Sequence, residues 1–75
     1  MRLVKDREKR LREYLKEARL AAGMRQLDLA ESLGRPQSFV AKFESGERKL
    51  DFIEVLDVCD VIGLDPCVLT NELSK

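Results

Sequence analysis

Histidine and tryptophan do not occur in this 75-residue chain, and cysteine (two), proline (two) and glycine (four) are scarce. Each scarcity removes a class of protein. Without histidine, the commonest general base and zinc ligand is missing. Cys59 and Cys67 do not form a Cys-x-x-Cys pair, and no Ser or Cys has a convincing base beside it. The chain is therefore expected to be no enzyme and to carry no metal site and no cofactor. Two thiols without a partner motif fit the reduced state of a reducing compartment. No apolar run approaches bilayer length, and the opening residues Met-Arg-Leu-Val-Lys-Asp-Arg-Glu lack a hydrophobic signal core. A cytoplasmic protein that does not enter the membrane is expected. With little Gly or Pro, 44% hydrophobic and 37% charged residues describe a folded chain rather than a disordered one. Its length allows one domain, residues 1–75 with a core over 7–73, whose stability is modest.

Net charge is absent too, at zero, which at first argues against a polyanionic partner. The distribution reverses that argument. Residues 1–49 hold thirteen Lys/Arg against eight Asp/Glu, and residues 50–75 hold one against six. Phosphate binding depends on local charge, so a basic two-thirds can face a polyanion while the acidic end faces away.

What is present is helical periodicity. Over residues 7–22, Leu11, Tyr14, Leu15, Ala18 and Ala22 recur at three- and four-residue spacing among strong helix formers. Leu3 and Val4, ahead of this stripe, are candidates to pack on the body or on a second chain. Gln26–Leu33 reads as a second helix, closed by Gly34, a residue that takes the left-handed C-cap position at little cost. Pro36 can open a third helix because its missing N–H is not needed there; that helix, Gln37–Ser45, stops at Gly46. Two short helices joined by a tight turn over residues 26–45 form a helix-turn-helix, whose second helix can enter a DNA major groove. In the third helix Val40 and Phe43 point inward. Gln37, Ser38, Ala41 and Lys42 lie opposite, and they suit base edges: Gln for adenine, Lys for guanine, Ser for either, Ala for a thymine methyl. Asp51 is placed to cap a fourth helix with Phe52, Val55, Val58, Cys59 and Ile62 as its apolar stripe. Asp65 and Pro66 open a fifth, Pro66–Leu73.

Laid out this way, Gly23-Met-Arg-Gln26, Leu29-Ala30, Leu33-Gly34, Val40, Phe43-Glu44-Ser-Gly46 and Ile62-Gly63 resemble the lambda-repressor-like, or Cro/C1-type (XRE), helix-turn-helix family over about residues 11–69. The resemblance implies an all-α, compact five-helix domain that binds operator DNA as a dimer. By position it implies that Gln26 holds a phosphate and braces Gln37, and that Gln37, Ser38 and Lys42 meet base edges. It also implies that Phe39 and Arg48 lie near the DNA backbone, and that Arg19 and Glu44 form a structural ion pair. Four positions depart from the pattern. Arg25 stands where a Ser or Thr would cap the second helix, Phe39 where a small hydroxyl residue is common, Leu50 where Pro is, and Cys59 where Ala is.

The function expected is a sequence-specific, double-stranded DNA-binding transcriptional regulator that reads a palindromic operator as a homodimer. Arg25, Gln26, Arg35, Phe39 and Arg48 would meet the DNA backbone, and Gln37, Ser38, Ala41 and Lys42 the bases. Leu64, Cys67, Val68, Leu69 and Leu73 would supply the dimer surface or merely finish a small core. No length remains for a ligand-sensing domain, so control is expected from concentration, dimerisation, proteolysis or a regulatory protein partner. The rival expectation is a protein-interaction module of the same fold that has lost DNA binding, favoured by the zero net charge, Phe39 and the acidic end.

Overall fold

The computed structural model describes residues 4–75, with side chains from Arg7 onward; Leu3 and the Val4 side chain, candidates for packing, lie outside the described residues. Five helices follow one another: α1 (Val4–Ala21), α2 (Gln26–Leu33), α3 (Gln37–Ser45), α4 (Phe52–Ile62) and α5 (Pro66–Leu73). This is the all-α, five-helix lambda-repressor-like architecture that the spacing and the resemblance imply. α2 packs on both α3 and α4, and α1 lies across α3, α4 and α5.

Each helix end has a local cause. Asp51 Oδ1 accepts from the Glu54 N–H at 2.7 Å while Glu54 Oε1 accepts from the Asp51 N–H at 3.0 Å, a reciprocal box that starts α4. Asp65 Oδ1 accepts from Cys67 N–H at 2.8 Å to start α5, with Pro66 in its first turn. At α2 the cap is only half made. Arg25 has no acceptor to offer the helix, so the bond that forms is the return one, from Arg25 N–H to Asp28 Oδ2 at 2.8 Å. Gly34, at φ +68°, turns the chain out of α2 in the left-handed conformation that side chains resist.

The buried core is Leu15 of α1, Leu29 and Ala30 of α2, Phe39, Val40 and Phe43 of α3, Val58, Cys59 and Ile62 of α4, and Leu69 of α5. The Leu, Ile, Val and Phe side chains among them contribute about 1.5–3 kcal/mol each when fully buried. That burial holds α4, which is rich in β-branched residues that form helix poorly on their own. Burial also raises the pKa of the Cys59 thiol, with Asp60 and Asp65 adding to the effect, so the thiol is a small core residue of low reactivity.

Two residues depart from the expected inward faces. Phe52 is 73% exposed, whereas Glu54 is 7% exposed. The first turn of α4 thus presents a carboxylate to the body and a phenyl to solvent, because Glu54 meets two arginines there. Leu69, expected at a dimer surface or in a small core, is 3% exposed and packs in the core.

Candidate functional site

The face of α3 opposite Val40 and Phe43 carries Gln37, Ser38 and Lys42, all exposed, with Ala41 half-buried between them. Among the described residues, none of the three exposed side chains is engaged in a hydrogen bond or ion pair, so their polar ends face solvent. The helix beneath them is fixed by Val40 and Phe43, at 0% and 2% exposure. This is a rigid helix with a polar, unspent edge, and its short side chains let another surface come close.

At the start of α2 the Arg19 guanidinium makes a two-point ion pair with Glu44, Nε to Oε2 at 2.7 Å and Nη2 to Oε1 at 3.1 Å. A third N–H, on Nη1, donates to the Met24 carbonyl at 2.7 Å. Both side chains are almost fully buried, at 6% and 3% exposure. Gln26 Nε2 donates to Glu44 Oε1 at 3.0 Å. A carboxylate only accepts, so this bond fixes which end of the Gln26 amide faces inward. Gln26 is therefore braced by Glu44, and among the described residues it shares no hydrogen bond with Gln37. The brace expected between those two glutamines is replaced by one through Glu44.

Arg25 projects from the N-cap of α2 with its side chain 76% exposed, paired with Asp28 at 2.8 Å. Bonds from the Arg25 side chain and then its backbone N–H lower the pKa of Asp28 to about 2.

The turn between α2 and α3 and the segment after α3 converge on one cluster that the sequence did not reveal. Glu54 accepts from both terminal nitrogens of Arg48 at 2.9 Å, and from Arg35 Nη2 at 3.1 Å. Both guanidiniums lie against the Phe39 ring, 4.6 Å (Arg35) and 4.8 Å (Arg48) from its centroid, in cation–π contact. The same ring meets Phe43 edge-on at 5.7 Å. Phe39 is consequently 7% exposed. Phe39, expected near the DNA backbone, thus has its ring covered by two arginines, and they, 44% and 40% exposed, present charge to solvent. No periodicity could have located Glu54 in this cluster, because Arg35, Phe39 and Arg48 come from the turn before α3, from α3 itself and from the segment after it. The available signal was an acidic residue three positions after Asp51 with arginines in the two preceding turns.

The hydrogen bonds from Arg48, reinforced by the Asp51 N–H and the charge of both arginines, lower the pKa of Glu54 to about 2, from an ordinary 4.5. Its folded-state pKa lies below its unfolded one, so its contribution to stability is complete above about pH 4.5 and disappears as pH falls toward 2. Thermal melts across that interval are expected to drop steeply for the native chain and less steeply for Glu54→Gln. Parallel profiles would assign the acid transition to other carboxylates.

Of the residues expected at a dimer surface, Cys67 is exposed and Val68 is 46% exposed, Leu64 and Leu73 are half-buried against the core, and Leu69 lies inside it. Phe52 and Ile53, at 73% and 62% exposure, add apolar surface on α4. Among the described residues no helix is long and apolar enough to cross a membrane, and no group of His, Cys, Asp and Glu side chains is placed to hold a metal ion.

Comparison with known proteins adds two kinds of likeness. The family described as helix-turn-helix domain matches residues 10–72. An XRE-family like protein from Pseudomonas syringae pv. tomato str. DC3000 is 51% identical, with 93% of this chain and 85% of that one covered and a TM-score of 0.89. A point mutant of the restriction-modification controller protein C.Esp1396I has the same fold at 22% identity, covering 92% and 90% of the two chains with a TM-score of 0.82. No curated protein matches the chain.

Proposed function

The chain belongs to the XRE family of helix-turn-helix DNA-binding regulators, and from that premise we propose that it is a transcriptional regulator reading a palindromic operator as a homodimer. The observation that carries this reading is the exposed polar edge of α3, Gln37, Ser38 and Lys42, on a helix locked by buried Val40 and Phe43. Inserted in the major groove, that edge offers an amide for adenine, an ammonium for guanine and a hydroxyl for either, while Ala41 allows close approach. Gln26, Arg25, Arg35 and Arg48 sit at the ends of α2 and just beyond α3, where backbone phosphates flank a groove-bound helix.

One α3 helix reads only a few base pairs and buries limited area, so a two-fold pair is needed for a tight and selective site. Exposed Val68 and Cys67, with the outer edges of Leu64 and Leu73, support a homodimer through α5, and Phe52 and Ile53 supply further apolar surface on α4. Half-sites about one helical turn apart, ~34 Å, follow from that geometry.

Selection of the purified protein against random duplex DNA, followed by a salt titration of the best binder by fluorescence anisotropy, tests the reading. A two-fold symmetric motif with a steep salt dependence is the expected result. A folded protein that enriches no sequence even at about 50 mM salt, where phosphate contacts are strong, overturns it in favour of a protein-interaction module. That rival has lost one of its supports, since Phe39 is buried rather than displayed.

A further inference from the structure

We propose that Glu54 is a positioning residue for DNA binding: it holds the guanidinium of Arg35, beside that of Arg48, against the Phe39 ring as a preformed clamp for one backbone phosphate. The inference rests on the DNA-binding reading above and assigns a role to an acidic residue that does not itself face the ligand. Glu54 is 7% exposed, and its two oxygens accept four bonds. Oε1 takes Asp51 N–H and Arg48 Nη1; Oε2 takes Arg48 Nη2 and Arg35 Nη2. Arg35 donates a single N–H to it, and its side chain is 44% exposed. The rest of its planar fork is open to a phosphate, the partner that such a fork matches in two-point geometry.

Charge arithmetic makes the proposal sharp. Two arginines on one carboxylate leave one net positive charge, held in place by the ring and the buried acid. If Glu54 acted only through its charge, neutralising it would strengthen attraction to DNA. If it acts by positioning, neutralising it weakens binding, because an arginine side chain that must be ordered at the moment of contact loses rotamer freedom. The two roles predict opposite signs.

The test is Glu54→Gln in the full chain. A glutamine oxygen can keep the Asp51 N–H and one Arg48 bond, so the start of α4 survives. Its amide N–H then faces Arg35 and releases it. Binding of the selected operator is expected to weaken about five- to tenfold near 150 mM salt, equally for altered operators, and the salt slope to fall by about one phosphate contact. In the double variant Arg35→Gln/Glu54→Gln, affinity should match Arg35→Gln alone, since both changes remove one contact. A merely structural role for Glu54 would instead give additive losses.

Unchanged or tighter binding by folded Glu54→Gln overturns the positioning role while leaving the DNA reading in place. Absence of binding by the unsubstituted protein removes that reading itself. Should Glu54→Gln not fold, Phe39→Leu removes the platform beneath both guanidiniums, and an unchanged salt slope in that variant overturns the proposal.

Discussion

Glu44→Ala is expected to lower the unfolding free energy by about 3–5 kcal/mol, because it strands the Arg19 guanidinium in a site from which water is excluded. A chain of this length has about 4–11 kcal/mol to lose in total, so the variant should be largely unfolded or melt far below the native chain. Arg19→Met is expected to cost a similar amount by stranding the carboxylate. The double change Arg19→Met/Glu44→Leu should recover much of the loss, since an apolar pair of similar volume needs no partner. Recovery will be incomplete. Gln26 loses its acceptor and the Met24 carbonyl its donor, and each lost hydrogen bond of such a half-buried group costs about 0.5–1.5 kcal/mol. Urea unfolding followed by circular dichroism measures all three variants. Single losses below about 1 kcal/mol, the range of an exposed pair, would contradict the burial of both side chains.

The second large effect falls on selectivity. Lys42→Ala or Gln37→Ala should each remove about 1–3 kcal/mol of discrimination at one or two base pairs of each half-site. A single-base variant alters one half-site, so the preferred operator should lose about five- to hundredfold of its preference over it, and the square of that factor over a variant changed in both half-sites. Stability should hardly change, because both side chains are exposed and unengaged. Arg48→Ala should contrast with both: weaker binding to every duplex alike, a lower salt slope, and a less stable α4 start. Anisotropy titrations against the selected operator and a set of single-base changes separate the cases. If Lys42→Ala and Gln37→Ala leave the ranking of operators intact, the reading edge lies elsewhere.

Much of the fold was legible because its punctuation is local. Gln26–Leu33, Gln37–Ser45 and Pro66–Leu73 have the same bounds in sequence and structure. A glycine after each of the first two, and Asp65-Pro66 before the third, act within a single turn. The positions that misled are those where distant segments meet. Phe52 is in phase with Val58, Cys59 and Ile62, yet Glu54 takes the inner place at that turn because Arg35 and Arg48 neutralise it. Phe39 looked like a surface aromatic until the same two arginines were found against its ring. Leu69, one of several apolar residues in an eight-residue helix, could serve a core or an interface with equal ease on periodicity alone. In each case hydropathy was read residue by residue, whereas burial was decided by tertiary partners: for Glu54 and Phe39, the arginines of the turns on either side of α3.

The span of α1 across α3, α4 and α5 has a consequence for synthesis. α1 does not pack extensively on α2, its neighbour in sequence, and its Arg10 reaches the carbonyl oxygens of Glu72 and Leu73, 62 and 63 positions downstream. At about 5–20 residues per second, α5, the last partner of the stripe of Leu11, Tyr14, Leu15 and Ala18, follows α3 by a few seconds. α2 and α3 touch each other closely and can pair meanwhile. α1 can therefore dock on α3 once the helix-turn-helix has formed, but its contacts are completed only when α5 arrives, a long-range step of the kind that slows folding.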